Sequence, residues 1–211
     1  MYRIIDISPK IDENLAVWPG DVSFTRQVHL DASQGDHLTL SSIGGTVHLG
    51  AHADASNHYH ANGKGIESRS LQPYFGKVQV ITVETKKGER VLPADIRDQS
   101  ILAERILIKT NSYPDPTQFN EDFCSLSPEL IQYLNEEGVI LVGIDTPSVD
   151  PFSSKKLESH QALYETGMAV LEGLVLVEVE DGDYILSALP LPIVGADASP
   201  VRAVLIDAQQ L

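Results

Sequence analysis

Cysteine is almost missing from this chain. Cys124 is the only one, which excludes an intrachain disulfide and a thiolate metal cluster. Its setting, "EDFCSLSP", is acidic and disfavours a reactive thiolate, so Cys124 reads as buried or incidental. Cationic side chains are scarce too. With 15 Lys and Arg against 30 Asp and Glu, the net charge is −15, and the basic face that non-specific nucleic-acid binding requires is lacking. No apolar run approaches the roughly 20 residues of a membrane-spanning helix. The opening "MYRIIDISPKIDENLAVWPGD" has no basic stretch followed by an apolar one, so a cytoplasmic protein is expected. Internal repeats, low-complexity tracts and linkers rich in Pro, Gly or Ser are absent as well. A single domain over residues 1–211 is therefore expected, and a hydrophobic fraction of 42% is enough for one sizeable core.

What is present is mostly strand-like. "YRIIDIS", "HLTLSSIGGTVHL", "GKVQVITVET", "RILIKT", "GVILVGIDTPSV", "LVLVEVE" and "DYILSALPLPIV" carry β-branched content or alternation. "EDGD" at 180–183 supplies turn chemistry, predicting a hairpin between the last two. Helical pattern is confined to "LPADIRDQS", "LSPELIQYLNEEG" and "SHQALYETG". Ser127 caps the second of these, Pro128 suits its first turn and Gly138 ends it, while Ser159 is the expected N-cap of the third. The predicted class is mixed α/β, with a largely β core and few helices.

Histidine is concentrated. The stretch "HLGAHADASNHYH" at 48–60 holds four of the chain's seven histidines, with Asp54 among them. Imidazole and carboxylate are the ligands that divalent transition ions prefer, so H-x-x-x-H-x-D-x-x-x-H reads as a metal site rather than as separate solvent-facing histidines. Neither regular element delivers His48, His52 and Asp54 to one ion. A helix of about 100° per residue turns Asp54 some 160° from His52. A straight strand leaves His48 and His52 roughly 13 Å apart. Gly44, Gly45 and Gly50 offer the alternative of a strand running into a tight loop that curls these side chains together. His58 or His60 can then reach the same point from the side. His29 and His37 read as solvent-facing.

Two further donors lie far along the chain. His160 opens the helix "SHQALYETG". Glu172 is a lone carboxylate in the apolar run "AVLEGLVL", where an unpartnered charge is expensive, so pairing or metal binding is expected. "GIDTPSVDP" follows an apolar strand, and its Asp145 and Asp150 are candidates to orient a histidine or a substrate, although turn chemistry explains them equally well. Asp197 and Arg202 in "GADASPVR" read as a structural pair or a dimer contact.

The motif H-x-G-[AT]-H-x-D-A-x-x-H, followed by "SHQALYETGMAVLEGL" and "ALPLPIVGADASPVRAVL", resembles the cyclase-like metal-dependent hydrolases over essentially the whole chain. "VWPGD" and the C-terminal segment are similar to the arylformamidase branch of that family. The resemblance implies a compact fold with a β-barrel-like core of mixed strands, a homodimer, and two divalent ions per subunit, zinc with manganese as the alternative. His48, His52 and Asp54 would hold one ion and His160 the other, with Asp54 and Glu172 bridging. His58 would be the catalytic acid/base, and Trp18 would line the substrate pocket. One departure is Ser56, which stands where the family usually has proline; it supplies no ligand and bears on loop stiffness.

The chemistry such a site implies is amide hydrolysis. A metal-activated hydroxide attacks the formyl carbonyl of an N-formyl anilide, and His58 carries the proton to the departing nitrogen. N-formyl-L-kynurenine would yield L-kynurenine and formate, as in tryptophan degradation. The competing expectations are hydrolysis of a cyclic amide such as isatin by a related enzyme, and a non-catalytic metal-binding protein.

Overall fold

The computed structural model describes residues 3–207. Among these residues thirteen strands run in chain order as β1 Ile4–Asp6, β2 Thr25–Leu30, β3 Leu40–Gly44, β4 His52–Asp54, β5 Phe75–Thr82, β6 Arg90–Val91, β7 Arg105–Lys109, β8 Ser125–Leu126, β9 Leu141–Ile144, β10 Ala169–Glu172, β11 Gly182–Ser187, β12 Ala198–Pro200 and β13 Val204–Asp207. The helices are α1 Pro93–Ile96, α2 Pro128–Glu136 and α3 Glu158–Thr166. Nine strands form one sheet in the order β1-β13-β11-β5-β7-β9-β10-β4-β12, curled into an open half-barrel. The central β5, β7, β9 and β10 are mutually parallel, and the flanking pairings are antiparallel.

The period-two alternation of these strands divides the interior into two cores. Leu107, Leu141, Ala169 and Leu171 pack on one face with Val78, Val80 and Leu186. Ile106, Ile108, Val142, Ile144 and Val170 point the other way, against Leu130, Ile131 and Leu134 of α2 and Leu163 of α3. Strands buried on both faces read as continuous apolar runs, as "RILIK" and "ILVGI" do. The α/β class and the curled, β-rich core agree with the expectation.

Helix α2 starts as predicted: the Ser127 hydroxyl accepts the Leu130 N–H at 3.1 Å and Pro128 occupies the first turn. Ser159, by contrast, is not the N-cap of α3. Leu157 holds that position at φ 52°, and Ser159 lies inside the first turn. The Asp150 carboxylate does the capping from outside, accepting the Ser159 and His160 N–H groups at 3.1 and 3.0 Å.

The "LVLVEVE" strand and its hairpin do not form. The strand in this region is β10, which stops at Glu172 because Gly173 takes φ 66° and turns the chain away. Leu174 and Leu176 are buried as the alternation suggested, but β11 pairs with β5 and β13 instead. "YRIIDIS" contracts to β1, and its Tyr2 lies outside the described residues. The polar segment "TRQVHL" forms β2, a strand that hydrophobic patterning does not reveal, and pairs with β3 as a separate ribbon. Among the described residues no helix is long and apolar enough to cross a membrane.

Candidate metal centre and active site

Strand β4 carries His52 and Asp54 two residues apart, so both side chains leave the same face. Glu172, the last residue of β10, is the direct cross-strand partner of His52 and shares that face. His48 precedes β4 and is folded back by Gly50 at φ 59°, the curl its glycine predicted. Gly173 touches the same bend: a Cβ there would lie 2.2 Å from the Gly50 carbonyl oxygen. His160 arrives from the first turn of α3. His48, His52, Asp54, His160 and Glu172 thus meet at one point, and all but His48 are buried.

The hydrogen bonds around the three histidines fix their tautomers. His52 donates Nδ1–H to the Gly50 carbonyl at 2.8 Å, and His160 donates Nδ1–H to Asp150 at 2.7 Å. His48 donates Nε2–H to Asp197 at 3.0 Å. Each ring therefore turns its other nitrogen inward, and that nitrogen is a lone-pair donor whenever the ring is neutral. His48 Nδ1 lies 3.2 Å from Asp54 Oδ1. His52 Nε2 lies 3.5 Å from Asp54 Oδ1 and 3.3 Å from Glu172 Oε2. His160 Nε2 lies 3.4 Å from Asp54 Oδ2 and 3.5 Å from Glu172 Oε1.

A lone pair facing a carboxylate repels it unless a proton or a cation lies between. His52 Nε2, His160 Nε2 and both Asp54 oxygens are buried with no hydrogen-bond partner among the described residues. Ligands about 2.0–2.1 Å from a tetrahedral ion stand about 3.3–3.4 Å apart, which matches these separations. The donor set therefore fits a divalent cation. His48, His52 and Asp54 form one group whose ligand atoms lie within 4.8 Å of one another, and Asp54, His58 and His160 form a second.

The electrostatics agree. Burial disfavours an imidazolium at His48, but Asp54 and Asp197 outweigh it and push its pKa up to about 9. Burial likewise opposes charge on His160, while Asp150, Asp54 and Glu172 carry it well above the usual value. Burial raises Asp54, yet its histidine partners hold it well below the carboxylate range. The site is thus a nest of buried anions that attracts positive charge.

Behind the donors stands a supporting layer. Asp150, 1% exposed, accepts His160 Nδ1–H and the two helix N–H groups, and Arg90 donates to it at 3.0 Å. Arg90 also bonds the Leu126 carbonyl and the Ser159 hydroxyl, tying β6 and β8 to α3. Asp145 is committed to the Thr110 and Asn111 backbone. Asp197 does not pair with Arg202, which bonds Asp6 instead. β12 begins one residue after Asp197 and pairs with β4, which carries the Asp197 carboxylate to His48 Nε2 and to within 3.5 Å of His58 Nδ1.

His58 ends a 3₁₀ turn that follows β4, with its ring 4.1 Å from His48 and 5.8 Å from His160. Burial lowers its pKa, so it is the free base at neutral pH. His60 turns away, stacks on Tyr164 at 3.6 Å and accepts the Asn62 N–H. The Ser56 hydroxyl accepts the Lys64 N–H at 2.9 Å, closing the loop after His58 with a bond that proline has no hydroxyl to make.

A cavity of about 560 Å³ opens over the cluster. Trp18 lines it, packed edge-on against Phe119 at 5.4 Å and tilted against Phe152 at 5.1 Å. Leu15, Val17, Leu174 and Leu176 extend the apolar wall. This volume is ordinary for a small-molecule site.

A family model described as "Putative cyclase" matches residues 5–151. A kynurenine formamidase of Geobacillus thermodenitrificans is 40% identical, over 95% of this chain and 96% of the relative. One from Bordetella pertussis is 41% identical, over 97% and 98%. Among solved structures, that of a "predicted metal-dependent hydrolase from Bacillus stearothermophilus" superposes with a TM-score of 0.83 at 26% identity, covering 98% of this chain and 99% of the other. The chain belongs to the cyclase family.

Proposed function

We propose that this protein is a metal-dependent arylformamidase that hydrolyses N-formyl-L-kynurenine to L-kynurenine and formate, a step of tryptophan degradation. The observation that carries this reading is the set of three imidazole lone pairs converging on two buried carboxylates beneath an aromatic-lined cavity. Full-length similarity to kynurenine formamidases supports this substrate within that chemistry.

His48, His52 and Asp54 would hold one divalent ion, and His160 a second, with Asp54 and Glu172 shared between them. When bound, such ions, read here as zinc with manganese as the alternative, supply Lewis acidity and lower the pKa of water to about 7. The chain's own residues do the rest. Hydrolysis adds the oxygen of water to the formyl carbon, breaks the C–N bond and delivers a proton to the aniline nitrogen. His58, neutral at working pH and in reach of both ligand groups, accepts the proton of the attacking water. It returns that proton to the nitrogen as the bond breaks. Trp18, with Phe119 and Phe152 behind it, stacks on the aryl ring and holds the formyl group over the cluster.

The working unit is read as a homodimer. All of β2 and β3 except Leu30 is exposed, including Val28, Leu40 and Ile43 at 44%, 52% and 74%. Among the described residues β2 and β3 pair only with each other, a two-stranded ribbon of that kind is marginal in water, and a second copy is the natural cover.

The substrate assignment is tested by comparing formate release from N-formylkynurenine and from unsubstituted formanilide with ring opening of isatin. N-formylkynurenine should have the highest kcat/KM. A preference for isatin would transfer the chain to cyclic-amide hydrolysis.

A further inference from the structure

The cavity carries a pair of charges that the hydrolysis itself does not use. Lys155 is the only lysine or arginine among its lining residues, in a chain whose net charge is −15. Three acids line it besides. Glu172 belongs to the cluster, and Asp145 accepts the Thr110 and Asn111 N–H groups and the Thr110 hydroxyl. Among the described residues Asp21 alone is uncommitted: its carboxylate accepts only the adjacent Val22 N–H, at 2.7 Å.

Both charges are exposed while the donor cluster is buried, so they sit at the rim. Among the described residues neither has an ion-pair partner within 4 Å. Their backbones are nevertheless held. The Asp21 N–H bonds the Trp18 carbonyl in a turn. Lys155 follows Ser154, whose hydroxyl accepts the Leu157 N–H and donates to Glu158, and Phe152 of the same segment packs on Trp18. The two opposite charges thus belong to the two segments that hold the ring proposed to stack on the substrate, and both line the same cavity.

We infer that Lys155 and Asp21 recognise a zwitterionic α-amino-acid tail, which makes the site selective for aryl formamides bearing one. This rests on the formamidase reading and names what distinguishes the preferred substrate from other formanilides. The tail's carboxylate meets Lys155 and its ammonium meets Asp21, while the formyl group lies at the cluster. An acidic protein repels a free carboxylate, and a local cation at the entrance reverses that field where it matters.

The test is a cycle between side chain and substrate on the metal-loaded enzyme. KM for N-formylkynurenine is compared with KM for its decarboxylated analogue, in the parent enzyme and in Lys155→Met, Lys155→Arg and Asp21→Asn. Lys155→Met should raise KM for N-formylkynurenine by about two- to fivefold, the range for one exposed charge pair. Lys155→Arg should restore most of it. With the decarboxylated analogue the Lys155→Met penalty should shrink to less than half, while Asp21→Asn should still raise KM, because the ammonium remains. Equal penalties on both substrates, or none on either, would overturn the assignment and leave the formamidase reading standing. A parent enzyme that releases formate from neither substrate would overturn both.

Discussion

Asp150→Asn separates a helix cap from a device that sets the metal site. The carboxylate is 1% exposed and accepts from His160 Nδ1, the Ser159 and His160 N–H groups and Arg90. Asparagine keeps the volume but loses the charge and turns an NH₂ toward groups that are themselves donors. Hydrogen bonds to charged groups contribute about 1.5–3 kcal/mol each, and one or two would be lost. A fold penalty of about 1.5–6 kcal/mol follows, which for a chain of this size is a fall in Tm of about 3–24 °C. If the NH₂ faces His160, the ring keeps its proton on Nε2, where it points at Asp54 and Glu172 and blocks the lone pair. Losing an outer partner of a ligating histidine weakens metal binding about 10–100-fold. Zinc or cobalt affinity of the metal-stripped protein, measured against a chromophoric chelator, reads the second effect; thermal unfolding of the same apoprotein reads the first. Burial disfavours the Asp150 anion, but the donors outweigh it and hold its pKa down to about 2, below the ordinary 3.8. Its stabilising contribution is therefore complete above about pH 4 and lost as pH falls toward 2, so the Tm gap should close in acid. A lower Tm with metal affinity within twofold of the parent would refute the tautomer argument and leave Asp150 as a cap only.

Three other perturbations probe the rest of the site. His58→Ala should cut kcat by about 10²–10⁴ while metal content stays near that of the parent, checked by elemental analysis of the same sample. Trp18→Ala should raise KM about three- to tenfold with kcat within about twofold, seen in steady-state formate release, since the lost contact is ring stacking. Gly173→Ala should destabilise the fold by at least about 2 kcal/mol in denaturant titration, because φ 66° disfavours a side chain and the new Cβ would strike the Gly50 carbonyl.

How much of this was legible from residues alone follows from distance along the chain. His48, His52, Asp54 and His58 stand together in one motif, and Gly50 signalled the bend that joins them. Glu172 stood out as a charge in an apolar run, although its register opposite His52 comes from strand pairing that no local pattern encodes. Asp197 pairs with His48 rather than with the nearby Arg202, and no local pattern shows this because His48 lies 149 positions away and only the β12–β4 ladder brings them together. In the sequence Asp150 is one option among turn residues; its capping role follows only from α3 starting at Glu158 with Leu157 left-handed, which leaves the cap to a residue outside the helix. "LVLVEVE" failed as a strand because alternation reports which side chains face inward, and that holds equally for an extended segment anchored by single bonds such as Val175 N–H to the Ile7 carbonyl. The aromatic packing around Trp18 has no local signal, since Phe119 and Phe152 carry no motif and meet only in the fold.

The proposed hydrolysis requires cations at the point where Asp54 and Glu172 meet three imidazoles. Stepwise addition of zinc to stripped protein, with bound metal and formate release from N-formylkynurenine followed together, tests it directly. Activity should be nil without metal and should rise with metal bound, reaching a plateau at two ions per chain. Deformylation at full rate in protein free of divalent ions, in the presence of EDTA, would contradict it.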